Sequence, residues 1–190
     1  MRLFVAAQIP QELRARLGRL QDVLRSLPLP VRWTRPEGVH LTLRFLGEVG
    51  IERLELIAAV LRPVAGSQPP LALEAVGVGT FPQNAVSPRV IWVGIRGEAE
   101  AAVRLQGSID GGLETIGFAR EERPFRPHLT LGRARGPARG SCRPILVRYS
   151  SERLGSFRVG DIVLFESRLS PEGPSYRPIE RFPLGGESER

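Results

Sequence analysis

Histidine occurs twice in this sequence, as His40 and His128, and each opens the same tetrapeptide, His-Leu-Thr-Leu. Two of the five threonines, Thr42 and Thr130, lie inside those copies. Imidazole is the side chain whose ordinary pKa, about 6.5, lets it give or take a proton near neutrality. Two of them in duplicated settings suit an acid and a base working on one reacting group. Strand side chains alternate between faces, so His40 and Thr42 point one way and Leu41 and Leu43 the other. His128 and Thr130 repeat the arrangement against Leu129 and Leu131. Lobes that face each other would bring two imidazoles and two hydroxyls into one cleft, with the leucines turned to the core.

A phosphodiester is the group such a cleft suits. Its hydrolysis needs a base for water, an acid for the departing alkoxide, and donors for the non-bridging oxygens. The two histidines fill the first pair of roles, and the two threonines with an arginine fill the rest. No metal is called for: with one cysteine and two histidines, no clustered ligand set is visible. Cys142 excludes an intramolecular disulfide, and its Arg/Gly/Pro loop gives it no nucleophilic setting. All 27 basic residues are arginine. Without a lysine amine, neither a Schiff base nor a lysyl-nucleotide intermediate can form. No Gly-x-x-x-x-Gly-Lys loop exists to cradle a nucleotide triphosphate. The net charge is +7, and residues 119–149 carry eight arginines against Glu121 and Glu122. That concentration surrounds His128 and favours a polyanionic substrate.

The elements that position these motifs follow from periodicity. Residues 3–9 read as a strand and 10–27 as an amphipathic helix, with Leu13, Leu17, Leu20 and Leu24 on one face. Residues 31–34 and 39–48 read as strands, the second carrying the first motif, and 51–61 returns to helical spacing before Pro63. Strands are expected over 71–80 and 89–95, then a helix over 98–113, then the second motif. Residues 144–149 have no clear type; 157–169 reads as one long strand, turned at 171–174 into a return strand over 176–182. The motifs lie 88 residues apart, and each follows a helix and a loop. The expected fold class is α+β and bilobal: two similar antiparallel-sheet-plus-helix lobes, related by a pseudo-twofold, with the active-site cleft between them. Residues 1–184 are expected to form this single unit and 185–190 a flexible tail. No apolar run is long enough to span a membrane, and the early Gln8, Pro10 and Glu12 argue against a secretion signal, so a cytoplasmic monomer is expected.

The fuller phrases around the motifs run from Trp33 through His40 to Glu48 and from Pro124 through His128 to Arg133. Together with the opening Arg2-Leu3-Phe4-Val5-Ala6, the Phe81-Pro82 turn and the Arg89-Val90-Ile91-Trp92-Val93 strand, they resemble the two-histidine (2H) phosphoesterase superfamily. Within it, they look like the bacterial and archaeal RNA 2′,3′-cyclic phosphodiesterases, also called 2′-5′ RNA ligases. The resemblance implies hydrolysis of RNA 2′,3′-cyclic phosphate ends to 2′-phosphomonoesters. It makes His128 the general base, His40 the general acid, and Thr42 and Thr130 the phosphate ligands, without a cofactor. It also implies reversible 2′-5′ joining of RNA, tRNA halves among the substrates. Phe45 and Arg133, again 88 apart, would meet the nucleotide, Arg133 at the phosphate, although strict alternation turns both toward the leucine face. Arg44, which shares the parity of His40, and Arg126 are rival contacts. Trp33 and Trp92 read as core or cleft-wall aromatics. Two other readings compete: a non-catalytic module that binds RNA ends, and a phosphodiesterase for small cyclic nucleotides or oligoadenylates.

Overall fold

The structure, a computed structural model, describes residues 1–83, 85–170 and 173–185, the side chains of 169 and 170 excepted. The expected turn at 171–174 lies partly outside these residues, and the expected tail over 185–190 almost wholly so. Among the described residues nine strands and four α-helices follow one another along the chain. They are β1 (Arg2–Gln8), α1 (Gln11–Leu24), β2 (Val31–Trp33), β3 (His40–Glu48), α2 (Leu54–Gly66), β4 (Leu71–Phe81) and β5 (Val90–Gly97). Then come α3 (Ala99–Glu114), β6 (His128–Ala134), α4 (Arg143–Arg148), β7 (Arg153–Val159), β8 (Asp161–Ser170) and β9 (Gly173–Pro183).

The strands form one antiparallel sheet in the order β7-β4-β5-β6-β3-β1-β8-β9, with β2 also paired to β6. Its two four-stranded halves are the expected lobes. Reading outward from the middle, β6 matches β3, β5 matches β1, β4 matches β8 and β7 matches β9. The halves meet where the two motif strands touch, at the pair Leu41 and Leu129. Each lobe borrows its third strand from the other half of the sequence: β4 follows α2 yet pairs with β5, and β8 follows β7 yet pairs with β1. Helices cross in the same manner, α2 packing on α3 and β9, and α3 on β3 and β4.

The α1 stripe of Leu13, Leu17, Leu20 and Leu24 is buried as its spacing predicts. Two expectations need correction, and one segment left open gains a type. The helix α2 does not stop before Pro63 but runs through it to Gly66. Proline there removes only the bond to the carbonyl of Ala59, a residue on the exposed face, while Ala65 beyond it is fully buried. The single long strand over 157–169 is two strands broken at Gly160, because β7 pairs with β4 in one lobe and β8 with β1 in the other. Residues 144–149, left open by their composition, fall largely in the short helix α4, Arg143–Arg148. Among the described residues, no helix is long and apolar enough to cross a membrane.

Candidate active site

Leucine burial decides which way the motif strands face. Leu41, Leu43, Leu129 and Leu131 are all at most 3% exposed in the main core, so the alternate residues must face outward. His40, Thr42, His128 and Thr130 are accordingly half-buried on that outer face. The strands run antiparallel with Leu41 opposite Leu129. The two His/Thr pairs therefore lie on the same face, on either side of the point where the motif strands meet.

The rings are oriented in the same way. Nδ1 of His40 donates to the carbonyl of Gly38 at 2.8 Å, and Nδ1 of His128 donates to that of Arg126 at 2.6 Å. A carbonyl can only accept, so Nδ1 carries the proton in both rings and Nε2 is the nitrogen left for chemistry. Aromatic side chains brace each ring. His40 stacks on Phe4 at 4.9 Å between centroids and meets the edge of Tyr176 at 5.1 Å; Phe165 lies beyond Phe4. His128 meets Phe81 edge-on at 5.1 Å and Trp92 at 6.2 Å. Phe4 and Trp92 are themselves 88 residues apart, so the brace repeats with the motif. That offset is the signal by which sequence could find Phe4, whereas Phe81 and Trp92 stand out already as parts of the familiar turn and strand. Phe165 and Tyr176, on β8 and β9, carry no such mark.

Burial among these rings penalises the charged imidazole. It lowers the pKa of His40 to about 4, the Gly38 carbonyl opposing the shift and Arg14 adding to it. His128 is lowered for the same main reason, with the Arg126 carbonyl opposing and Arg133 adding. In the free protein at neutral pH both rings are therefore neutral and carry a basic Nε2.

Phe45 and Arg133 depart from strict alternation, and the same device moves both. On β3, Val5 pairs with Arg44 but Ala6 pairs with Thr42, which leaves Leu43 as an extra residue. On β6, Ile91 pairs with Gly132 but Trp92 with Thr130, which leaves Leu131 extra. Each bulge reverses the parity of the residues beyond it. Phe45 emerges 56% exposed with its ring 5.9 Å from Phe4, on the His40 side. Arg133 is exposed, and its charge acts on both His128 and Tyr176. Gln21 of α1, 2% exposed, fixes the second bulge by donating to the carbonyls of Leu131 at 2.9 Å and Thr34 at 2.7 Å. Parity alone places Arg44 beside His40, and here the structure corrects it. The bulge turns Arg44 inward, where its Nε pairs with Asp110 of α3 and its Nη1 with Glu121, each at 2.9 Å, and its Nη2 donates to the carbonyl of Ala119. Arg126 supplies its main-chain carbonyl to His128, and its side chain is exposed.

Among the described residues, no group of three His, Cys, Asp or Glu side chains converges to hold a metal ion. What the outer face of the motif strands offers is two like-oriented imidazoles and two half-buried threonines, with the exposed Arg133 on the same strand as His128.

The profile of the LigT like Phosphoesterase family matches the chain twice, over residues 8–92 and 93–176. An RNA 2′,3′-cyclic phosphodiesterase of Methanothermobacter thermautotrophicus is 36% identical over 185 residues, covering 97% of this chain and 99% of that protein. One from Archaeoglobus fulgidus is 38% identical over 182 residues, covering 96% and 99%. Among solved structures, a Thermus thermophilus protein superposes with a TM-score of 0.83 at 32% identity, covering 98% of this chain and all of that one. Escherichia coli LigT complexed with 3′-AMP gives 0.79 at 26% identity, covering 96% and 97%. The doubled profile, the full-length relatives and the paired motifs agree: the chain belongs to the LigT-like phosphoesterase family.

Proposed function

We propose that this chain hydrolyses the 2′,3′-cyclic phosphate at an RNA end to a 2′-phosphomonoester. The observation that carries the reading is the meeting of the two motif strands at Leu41 and Leu129, with both His/Thr pairs on the face opposite the buried leucines and each ring tethered through Nδ1. The names of the full-length relatives support the same substrate. Nε2 of neutral His128 takes a proton from water as the water oxygen bonds to phosphorus. The P–O3′ bond breaks, and Nε2–H of His40 gives its proton to the departing O3′. Thr42 and Thr130 donate to the non-bridging oxygens as charge builds there, with Arg133 beside them. Phe45 offers its exposed face to the base. Both rings are neutral at pH 7, so His128 is ready to accept a proton, and its assignment as the base follows the family resemblance. His40 enters the cycle charged only when the bound anion raises its pKa again, which couples proton uptake to substrate binding.

The same geometry accepts a ribose 5′-hydroxyl in place of water. His128 would deprotonate it, O3′ would leave as before, and the product would be a 2′-5′ diester such as one joining tRNA halves. The deciding experiment is turnover of an RNA ending in a 2′,3′-cyclic phosphate, in EDTA, by wild type, His40→Ala and His128→Ala. Phosphorus NMR identifies the product. The expected result is a 2′-phosphate from wild type and loss of turnover in both variants. A wild type that binds this RNA without turning it over would establish the RNA-end-binding module instead.

A further inference from the structure

Arg32 and Arg133 stand directly opposite each other, on β2 and β6. Both are exposed. Like charges in directly opposed positions destabilise a strand pair, so an arrangement of this kind calls for a counter-charge. Among the described residues, no carboxylate lies within ion-pair distance of either guanidinium, or of Arg2 at the start of β1. By contrast, Arg44, Arg62, Arg120, Arg153, Arg168, Arg177 and Arg181 all have an acidic partner. Arg32 and Arg133 thus form a like-charged cross-strand pair with no acidic partner among the described residues.

Tyr176 of β9 stands near this pair. Its ring lies edge-on to His40 at 5.1 Å and edge-on to Phe4 at 5.1 Å. It also closes over Gly38, where an added Cβ would sit 3.3 Å from Cε2. The ring is therefore wedged against the site, and three cations from three other strands act on its hydroxyl: Arg133, Arg32 and Arg2. Burial pushes the phenol pKa up and these cations oppose it, so the group remains a protonated donor at neutral pH. Four strands thus supply three guanidiniums and a hydroxyl at one place, one ring's width from His40.

We propose that Arg2, Arg32, Arg133 and the Tyr176 hydroxyl form a second anion subsite, which takes the 5′-phosphate of the terminal nucleotide. That phosphate is the diester tying the reacting end to the rest of an RNA chain. The inference rests on the cyclic phosphate occupying the His40–His128 cleft. It makes the protein selective for polymer ends over free cyclic mononucleotides, which lack this group. Arg133 borders both anions, and Tyr176 fixes the spacing between them.

Calorimetric binding of adenosine 2′-monophosphate and adenosine 2′,5′-bisphosphate isolates the subsite, because the two ligands differ only in the 5′-phosphate. Wild type is expected to bind the bisphosphate about 10- to 100-fold more tightly, the usual worth of one or two charge-assisted hydrogen bonds. Arg32→Gln should lose most of that gain, and Tyr176→Phe, which keeps the ring, part of it. The free Arg32→Gln protein should melt no lower than wild type, since one of two opposed like charges is gone; lost affinity then cannot be ascribed to misfolding. An equal affinity of wild type for both ligands, no binding of the bisphosphate, or a gain that survives Arg32→Gln would each overturn the subsite. Failure of wild type to turn over a cyclic phosphate, with the bisphosphate preference intact, would overturn the catalytic reading alone.

Discussion

The most direct test of the site is the titration of its two imidazoles, which are the only ones in the chain. His40 is held to a pKa of about 4 by burial against Phe4 and its neighbours. At pH 7 only about one ring in a thousand is then charged, which is a poor state for a general acid. A bound phosphodiester anion corrects this. One negative charge about 4 Å from the ring, at an effective dielectric near 20, stabilises the imidazolium by roughly 4 kcal/mol. At about 1.4 kcal/mol per pH unit this lifts the pKa by about three units, to near 7. Selective ¹⁵N-histidine labelling gives NMR spectra with two ring systems, and pH titrations with and without adenosine 2′-monophosphate follow each. The expected result is one ring titrating near 4 and the other below the ordinary imidazole value, both moving up with ligand. Calorimetry in two buffers of different ionisation heat should show a proton taken up on binding near pH 6. In kinetics, the kcat/KM profile reports the free protein and should peak on the acid side of 6.5, with the kcat profile displaced upward. A free-protein His40 pKa at or above 6.5, or ligand binding without proton uptake, would refute the account.

Three other outcomes are expected from the geometry. Thr42→Val and Thr130→Val should each lower kcat by about 100- to 1000-fold with folding intact, as loss of one oxyanion donor does elsewhere; steady-state assays and circular dichroism check this. Arg44→Met should cost roughly 3–5 kcal/mol of stability in urea unfolding, because it strands Asp110, 9% exposed, without its partner. Arg44→Met with Asp110→Leu should recover most of that, and a recovered double variant still lacking activity would return Arg44 to the substrate. Stability should also fall with acid in a defined window. Burial keeps His40 neutral, so the unfolded chain binds its proton more readily. The contribution is complete above pH 6.5 and is lost as pH drops toward about 4, by roughly 3 kcal/mol, with His128 acting in the same direction. Urea unfolding of wild type and His40→Gln across pH 4–7 measures it, the variant losing most of this slope.

Much of the site could be read from the sequence because its chemistry is concentrated in rare residues. Two histidines in duplicate phrases announce a pair, and flanking leucines announce which face is core. The lobes likewise emerge from the 88-residue offset. What the sequence conceals is set by partners distant along the chain. A bulge exists only in relation to the strand beside it, so the parity of Phe45 and Arg133 could not be counted from their own strands. Gly132 marks one bulge. Its counterpart is Arg44, whose inward turn depends on Asp110 and Glu121, some 70 residues away. The break at Gly160 is similar: residues 157–169 look like one strand, and only the identity of two different neighbours, β4 and β1, divides them. The brace of Phe165 and Tyr176 arrives with the exchanged strand β8 and its neighbour β9, outside any repeat of the first motif.

A site built on a pseudo-twofold has an ambiguity built into it. Two His/Thr pairs related by symmetry cannot by themselves tell O2′ from O3′, since turning a cyclic phosphate over exchanges the two oxygens between equivalent histidines. A strictly symmetric cleft would open the ring both ways and release a mixture of isomers. At the offset where the copies correspond, however, one lobe offers the flat ring of Phe45 and the other the cation of Arg133. A nucleoside with a base on one side and an anion on the other fits that inequality in one sense only. On the proposed reaction, the regiochemistry of the product would be set by this unlike pair, and the matched histidines would leave that choice to it.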